Sequence, residues 1–148
     1  ATEIGIESTV VDCTSERPLV LRSGGVTLEE LRSVVAETQV YLKQDHERPR
    51  SPGMVHRHYC PRAEVVLVRD LRFNPEPRSA WIGLERPASD RFDSISRCDS
   101  VEQYAQRLFA FFRECDREGI SRIYCQTVEE RGMGVALMDR LRRAASGK

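Results

Sequence analysis

Apolar runs and amphipathic segments alternate through the second half of the chain. Glu64–Val68 is a continuous apolar run, typical of a strand buried in a parallel sheet, and residues 79–84 and 92–97 predict two further strands, the latter at an edge. Residues 100–118 form the strongest predicted helix. Ser100 is its expected N-cap, and a heavy apolar stripe follows its length: Tyr104, Leu108, Phe111 and Phe112.

The last segments continue the alternation. Residues 121–125 predict a strand, and residues 132–145 a final helix whose apolar side comprises Val135, Met138, Leu141 and Ala145. Residues 69–78 contain two prolines where parallel strands are usually joined by a helix. Strands alternating with helices predict a small three-layer α/β domain from about Ala63 to the end of the chain.

The first forty residues predict a hairpin followed by a helix. Residues 4–12 are rich in β-branched side chains, and residues 19–22 form a second apolar run after a turn. Thr27 and Glu30 have the spacing of a capping box, so a helix should begin there and run to about residue 36. Its expected apolar side comprises Leu28, Leu31, Val34 and Val35. Residues 43–61 contain three prolines and no usable periodicity, which indicates a linker.

Composition restricts the class of protein only broadly. The 148 residues are 40% apolar and 31% charged with a formal net charge of zero, so charge gives no overall attraction to nucleic acid or membrane. Nearly all cationic side chains are arginines, which suit bidentate phosphate contacts, although a compositional bias of the genome is the simpler and preferred explanation. Five scattered cysteines without a C-x-x-C pair argue against a disulfide framework. No leader-like or membrane-length apolar run occurs, so we expect a cytoplasmic protein with reduced thiols.

Two short segments in the first part contain candidate ligand contacts. Ser8 and Thr9 lie in a predicted strand, where small hydroxyls either bind a ligand or simply reflect β-propensity. Arg22 ends the second strand and precedes Ser-Gly-Gly, a placement that suits a phosphate clamp and equally a solvated arginine. These residues alone leave both alternatives open.

Other polar patterns favour structural roles. His56 and His58 lack further ligands at metal-binding spacing, so no protein-bound metal site is expected. Gly132 and Gly134 open a helix as in a nucleotide-binding turn, but the third glycine of that fingerprint is missing and close helix–sheet packing explains them better. The charged groups at 129–131 and 139–143 suggest a solvated helix face with local ion pairs.

Taken together, these segments resemble the long, two-domain form of the YrdC-like threonylcarbamoyl-AMP synthase family. Residues 5–12 (GIESTVVD) are similar to its S-T-V-V-D strand, and residues 19–27 to the strand and turn that follow it. Residues 51–61 (SPGMVHRHYCP) resemble its interdomain linker, and residues 104–144 its small Rossmann-like C-terminal domain. The resemblance implies a remnant of the YrdC-like α/β catalytic domain at 1–42, a linker at 43–62 and a Rossmann-like domain at 63–148.

The family condenses L-threonine, bicarbonate and ATP into threonylcarbamoyl-AMP and pyrophosphate for tRNA modification. The resemblance implies that Ser8 contacts L-threonine, that Arg22 contacts the ATP phosphates, and that Tyr59 contacts the nucleotide from a linker that closes over the site. It implies ATP as a substrate, accompanied by Mg, and tRNA-modification proteins or tRNA as partners. It gives no catalytic residue in this chain and no membrane association.

The chain also departs from the family pattern. The K-x-R and S-x-N motifs that supply the family's main threonine and ATP contacts do not occur in these residues. One interpretation is the C-terminal part of a synthase that is inactive alone, with residues 1–36 poorly ordered, swapped with another copy or supported by a separate catalytic piece. The other is a non-catalytic binding or regulatory module in the same pathway. Pyrophosphate production from ATP with threonine and bicarbonate, measured on the chain alone and then with the missing N-terminal part, discriminates between them.

Overall fold

The structure, a computed structural model, describes residues 8–41 and 60–147 and contains two separate sheets. In the first part, β1 (Val10–Asp12) and β2 (Leu19–Arg22) pair antiparallel, and β3 (Gln39–Val40) pairs parallel to β2. The predicted hairpin is therefore confirmed from residue 10 onward. Residues 42–59 lie outside the described part of the chain, so the domain boundaries at 42 and 62 stay predictions.

The helix α1 (Leu28–Val34) begins as its sequence predicts. The Thr27 side chain accepts a hydrogen bond from the Glu30 amide while the Glu30 carboxylate accepts one from the Thr27 amide, which completes the capping box. No residue of α1 is buried, however, and Val34 of its expected apolar side is 84% exposed. The capping interactions therefore define this helix more than packing does.

The larger sheet has four parallel strands: β4 (Glu64–Val68), β5 (Ser79–Gly83), β6 (Ser94–Arg97) and β7 (Arg122–Gln126). Their order is β4-β7-β5-β6, so the edge position predicted for residues 92–97 is confirmed. Each strand lies within two residues of its sequence prediction. The α/β class with a parallel sheet is thus confirmed.

Two helices, α2 (Val101–Glu118) and α3 (Met133–Ala145), pack on one face of this sheet. Ser100 caps α2 by accepting a hydrogen bond from the Gln103 amide, as its sequence predicts, and Gly119 ends the helix in the left-handed conformation. The core between helices and sheet contains fully buried side chains from both layers, including Ile82, Ile123, Leu108, Phe112, Leu137 and Leu141.

The opposite face of the sheet is covered by loops. Phe73 and Phe92, from the connections that follow β4 and β5, pack on Trp81 and Tyr124 of the central strands, with ring centroids 4.7–6.2 Å apart. Residues 69–78 contain no helix, which agrees with their two prolines. The third layer of this domain is therefore formed by aromatic side chains on loops.

The buried face of α3 differs from its sequence prediction. Met138 and Leu141 are buried as expected, but Val135 is only partly buried and Ala145 is exposed. The buried face instead comprises Met133, Gly134, Ala136, Leu137, Met138, Arg140 and Leu141. This helix contacts both β4 and α2, so its contact surface is wider than a single apolar stripe.

Four weakly acidic side chains lie in the core of the larger domain. Burial raises the pKa of the Cys98, Cys115 and Cys125 thiols, that of Cys115 to about 12, and burial also raises the pKa of Tyr104. The Tyr104 hydroxyl donates to the carbonyl oxygens of Ile82 and Gln126 at 3.1 and 3.2 Å.

In the described residues no helix is long and apolar enough to cross a bilayer.

These raised pKa values predict a loss of stability at alkaline pH. An unfolded thiol ionises near pH 8.5 while the buried one stays protonated, so each thiol contributes stability that is complete below about pH 8.5 and lost as pH rises toward its folded pKa. Urea unfolding followed by the fluorescence of Trp81, the single tryptophan, should show a falling free energy of unfolding above that pH.

Substitution tests this origin. Cys115→Ala should make the decline between about pH 8.5 and 11 less steep, whatever its effect at neutral pH. Cys13→Ala, at an exposed thiol, should leave the slope unchanged. An equal slope in the parent and in Cys115→Ala would show that this thiol does not cause the decline.

Candidate functional site

The structure brings together two of the three residues implicated by the sequence. The Arg22 guanidinium donates from Nε and Nη2 to the carbonyl oxygen of Ser8, at 3.1 and 2.9 Å, and Nη2 lies 3.3 Å from Ser8 Oγ. Antiparallel pairing places Val10 opposite Arg22, with an irregular register between Val10 and Val11. The residue that precedes β1 therefore meets the end of β2.

Thr9 has a structural role that the sequence did not identify. Its hydroxyl donates to the Val26 carbonyl at 2.6 Å and accepts from the Val26 amide at 3.0 Å. This side chain thus ties the strand containing Ser8 to the segment just after Ser23-Gly24-Gly25. Of the two neighbouring hydroxyls, that of Thr9 is engaged with the backbone, and that of Ser8 lies beside Arg22.

The Ser8–Arg22 pair has the chemistry of a small anion or zwitterion contact. Ser8 is exposed and Arg22 is half-buried, so the pair lies at the surface. Two hydrogen bonds to one carbonyl fix the plane of the guanidinium, and a fixed planar donor group suits phosphate or carboxylate oxygens. The neighbouring serine hydroxyl can both donate and accept a hydrogen bond.

Tyr59, His56 and His58 lie outside the described residues, so their assigned roles stay predictions. The end of the linker segment is described and is attached to the larger domain. The Arg62 amide donates to Asp116 Oδ1 at 2.9 Å, and Cys60 Sγ lies 3.4 Å from the Ala144 carbonyl. Across 8–41 and 60–147, no group of three or more His, Cys, Asp or Glu side chains is placed to hold a metal ion.

The carboxyl end of the parallel sheet is closed by a glutamine. Ligands of parallel α/β domains commonly bind at this edge. Here Gln126 Oε1 accepts from the amides of Leu84 and Glu85 at 2.7 and 2.9 Å, and its Nε2 donates to Glu85 Oε1 at 2.8 Å. The side chain of Gln126 therefore occupies the main-chain donors that follow β5.

Gly134, in the first turn of α3, has a packing explanation. A Cβ at Gly134 would lie 2.0 Å from the Glu129 carbonyl oxygen, so the loop before the helix leaves no room for a side chain there. This close approach is to the preceding loop rather than to the sheet. It supports a packing role for Gly134, against the loop instead of the sheet, whereas at Gly132 a Cβ would meet nothing within 4 Å and the positive φ of 50° is what favours glycine.

The charged face predicted for α3 is confirmed only in part. Arg142 pairs with Glu130, and Arg143 pairs with Asp139 Oδ2 at 3.0 Å. The prediction that Arg140 belongs to this solvated face is wrong, because the residue is only 2% exposed. It faces inward between Leu137 and Leu141, two residues that are fully buried.

The described residues thus form a parallel α/β domain joined to a small unit that presents a serine–arginine pair. Residues 26–146 match the family described as "Threonylcarbamoyl-AMP synthase, C-terminal domain". The chain belongs to the threonylcarbamoyl-AMP synthase family.

Relatives of known name support this assignment. The chain is 36% identical over 160 residues to the threonylcarbamoyl-AMP synthase of Pyrococcus abyssi, covering 97% of this chain and 47% of that protein. It is 31% identical over 163 residues to that of Bacillus subtilis, covering 99% and 47%. The chain therefore spans about half the length of these relatives.

Solved structures give the same result. The crystal structure of P. abyssi Sua5 complexed with L-threonine superposes with a TM-score of 0.77 at 34% identity, covering 97% of this chain and 47% of that one. A variant of P. abyssi Sua5 with adjacent histidine and tyrosine replaced by alanine gives 0.79 at 33% identity, covering 97% and 46%. The described fold is thus similar to somewhat less than half of the P. abyssi Sua5 structure.

The closed edge of the sheet predicts a costly glycine substitution. A Cβ at Gly83 would lie 2.6 Å from both Cβ and Oε1 of Gln126, so Gly83→Ala must displace the glutamine from the Leu84 and Glu85 amides. We expect a loss of about 1–3 kcal/mol in the free energy of unfolding, measured by urea denaturation with Trp81 fluorescence.

A substitution at Gln126 separates the effect of this clash from any other effect of Gly83→Ala. Gln126→Gly removes both atoms that the new Cβ would meet, so adding Gly83→Ala should cost much less stability in the Gln126→Gly background than in the parent. Additive losses would show that Gly83 is required for a reason other than Gln126.

Proposed function

We propose that this chain is the C-terminal portion of an L-threonylcarbamoyladenylate synthase, which condenses L-threonine, bicarbonate and ATP into threonylcarbamoyl-AMP and pyrophosphate for tRNA modification. Family membership supports the reaction. The observation on which the proposal rests within the chain is the contact between Arg22 and Ser8, which the sequence resemblance assigns to phosphate and L-threonine contacts. An arginine and a hydroxyl side by side suit a site that binds both substrates.

Each site residue has a proposed role. Ser8 Oγ contacts L-threonine, Arg22 contacts the ATP phosphates, and Tyr59 contacts the nucleotide from the linker that closes over the site and excludes water. The complex of P. abyssi Sua5 with L-threonine supports threonine binding in the family. The chain contains one His-Tyr dipeptide, His58-Tyr59, the residue types replaced in the P. abyssi variant. ATP enters as a substrate accompanied by Mg, without a metal ion bound by the protein itself.

We further propose that the 148 residues of this chain do not suffice for catalysis. The K-x-R and S-x-N motifs, which resemblance to the family makes the main threonine and ATP contacts, are absent from them. The pair Ser8–Arg22 therefore completes a site whose remaining groups belong to the rest of the catalytic domain. The same proposal includes contacts of Tyr59 and Arg22 with ATP. It also includes tRNA-modification proteins as partners and a cytoplasmic location.

The test is pyrophosphate formation. With ATP, L-threonine and bicarbonate, the 148-residue chain alone should release no pyrophosphate above background, and a synthase that contains it together with a complete catalytic domain should release it. Omission of L-threonine or of bicarbonate is the control. Turnover by the chain alone would contradict the claim of incompleteness. A complete synthase without threonine-dependent turnover would overturn the enzymatic proposal in favour of a binding module.

Substitutions in the complete synthase test the two assigned contacts separately. Arg22→Met should raise the KM for ATP by roughly 10- to 100-fold, because a charge-assisted hydrogen bond contributes about 1.5–3 kcal/mol. Ser8→Ala retains the carbonyl that holds Arg22, so it should raise the KM for L-threonine and leave that for ATP nearly unchanged.

Arg17→Met, at an exposed position in the turn between β1 and β2, is the matched control and should change neither constant. If Ser8→Ala and Arg22→Met raised the same KM equally, the proposed division of substrate contacts would be wrong.

A further inference from the structure

Arg140 is an unusual residue on the buried face of α3. Its side chain is 1% exposed, and its neighbours along this face, Leu137 and Leu141, are fully buried. Burial of a guanidinium is costly unless polar groups surround it. The position therefore requires a specific set of partners, which a leucine there would not.

One of these partners belongs to the other sheet unit. Arg140 Nη1 donates to Asp139 Oδ2 at 2.5 Å, and Nη2 donates to the carbonyl oxygen of Ser23 at 3.3 Å. Asp139 Oδ1 also accepts from Arg143 Nε at 3.1 Å, which holds the carboxylate in place. A charged donor of the larger domain is thus bonded directly to the backbone after β2.

The carbonyl that Arg140 contacts belongs to the residue after Arg22. The segment is held on its other side by the two Thr9–Val26 hydrogen bonds, and Gly24 within it is buried. Backbone movement at Ser23 would rotate the end of β2. It would thereby move the Arg22 guanidinium relative to Ser8.

We propose that Arg140 is a positioning residue that couples α3 to the substrate-binding unit by holding the Ser23 carbonyl and, through it, the orientation of Arg22. The structural coupling stands on the contacts alone, and its effect on substrate binding rests on the proposed function. The larger domain then contributes to ATP affinity without contacting ATP. The glutamine-closed edge of its own sheet fits a role of support rather than of ligand binding.

Hydrogen exchange on the 148-residue chain tests the coupling without any assay of activity. Arg140→Met keeps most of the aliphatic volume and removes the donors, so amide exchange in residues 19–27 should become at least about tenfold faster. Arg140→Lys retains a charged donor and should restore part of the protection. Arg142→Met, which removes an exposed ion pair on the same helix, is the control and should leave this segment unchanged.

Trp81 fluorescence separates local release from unfolding. Trp81 is buried in the larger domain, so its emission should be the same in the parent and in all three variants under exchange conditions. Faster exchange confined to 19–27 with native Trp81 emission supports the coupling. Unchanged exchange there in Arg140→Met, or faster exchange across the whole chain matched by Arg140→Lys, overturns it.

Kinetics of the complete synthase test the consequence. Arg140→Met should raise the KM for ATP with little change in kcat, and Arg140→Lys should recover part of the loss. If Arg22→Met raises this KM and Arg140→Met does not, the positioning role is wrong and the proposed function stands. If Arg22→Met has no effect on it, the nucleotide role of Arg22 fails together with the kinetic consequence, and the exchange result alone decides the structural coupling.

Discussion

The structure of the larger domain depends on the need to cover both faces of a parallel sheet. Main-chain groups and apolar strands of such a sheet are buried on both sides, so each face requires a packed layer. Only one face receives helices here, α2 and α3. The other is covered by Phe73 and Phe92, whose rings meet Trp81 and Tyr124. Large aromatic side chains on these connections thus cover the face that a second layer of helices would otherwise cover. Because no helix is needed between β4 and β5, prolines are tolerated there.

The absence of helices on one face of the sheet also affects what the domain can bind. The first two amides after β5, those of Leu84 and Glu85, need acceptors, and Gln126 Oε1 accepts from both. Gly83 provides the space for this side chain. The edge at which parallel α/β proteins commonly bind ligands is therefore used for internal hydrogen bonds. The serine–arginine pair that we propose as a substrate contact lies elsewhere, in the hairpin unit, at Ser8 and Arg22.

Local signals in the sequence were sufficient for most elements, although the two-residue strand β3 was not predicted. The capping box at Thr27, the Ser100 cap, the apolar run at β4 and the edge strand at β6 all depend on neighbours within a few residues, and the structure confirms them. The resemblance to the family predicted that Ser8 and Arg22 belong to one site. The antiparallel hairpin places the two residues in contact.

The hydrophobic pattern of the sequence could not predict contacts between residues that are far apart in the chain. Arg140 lies among arginines and an aspartate, so periodicity assigned it to the solvated face of α3. Its partner Ser23 is 117 positions away, and nothing local distinguishes it from Arg142 or Arg143. Thr9 is similar, because its bonds to Val26 span 17 positions. In both cases the signal that was available is weak: a charged residue three positions after one buried leucine and directly before another, and a hydroxyl opposite a glycine turn.

The unequal burial of the two parts gives the Arg140 contact its significance. The larger domain has a continuous apolar core of its own, whereas α1 has no buried residue, and Val26, Val34, Val35 and Val40 are exposed. A unit with so little core of its own must take its backbone order from outside contacts. A hydrogen bond from a guanidinium that is fixed within a rigid domain transmits that domain's order to the Ser23 carbonyl. The position of Arg22, one residue earlier, then reflects the packing of α3 as well as the pairing of β1 with β2.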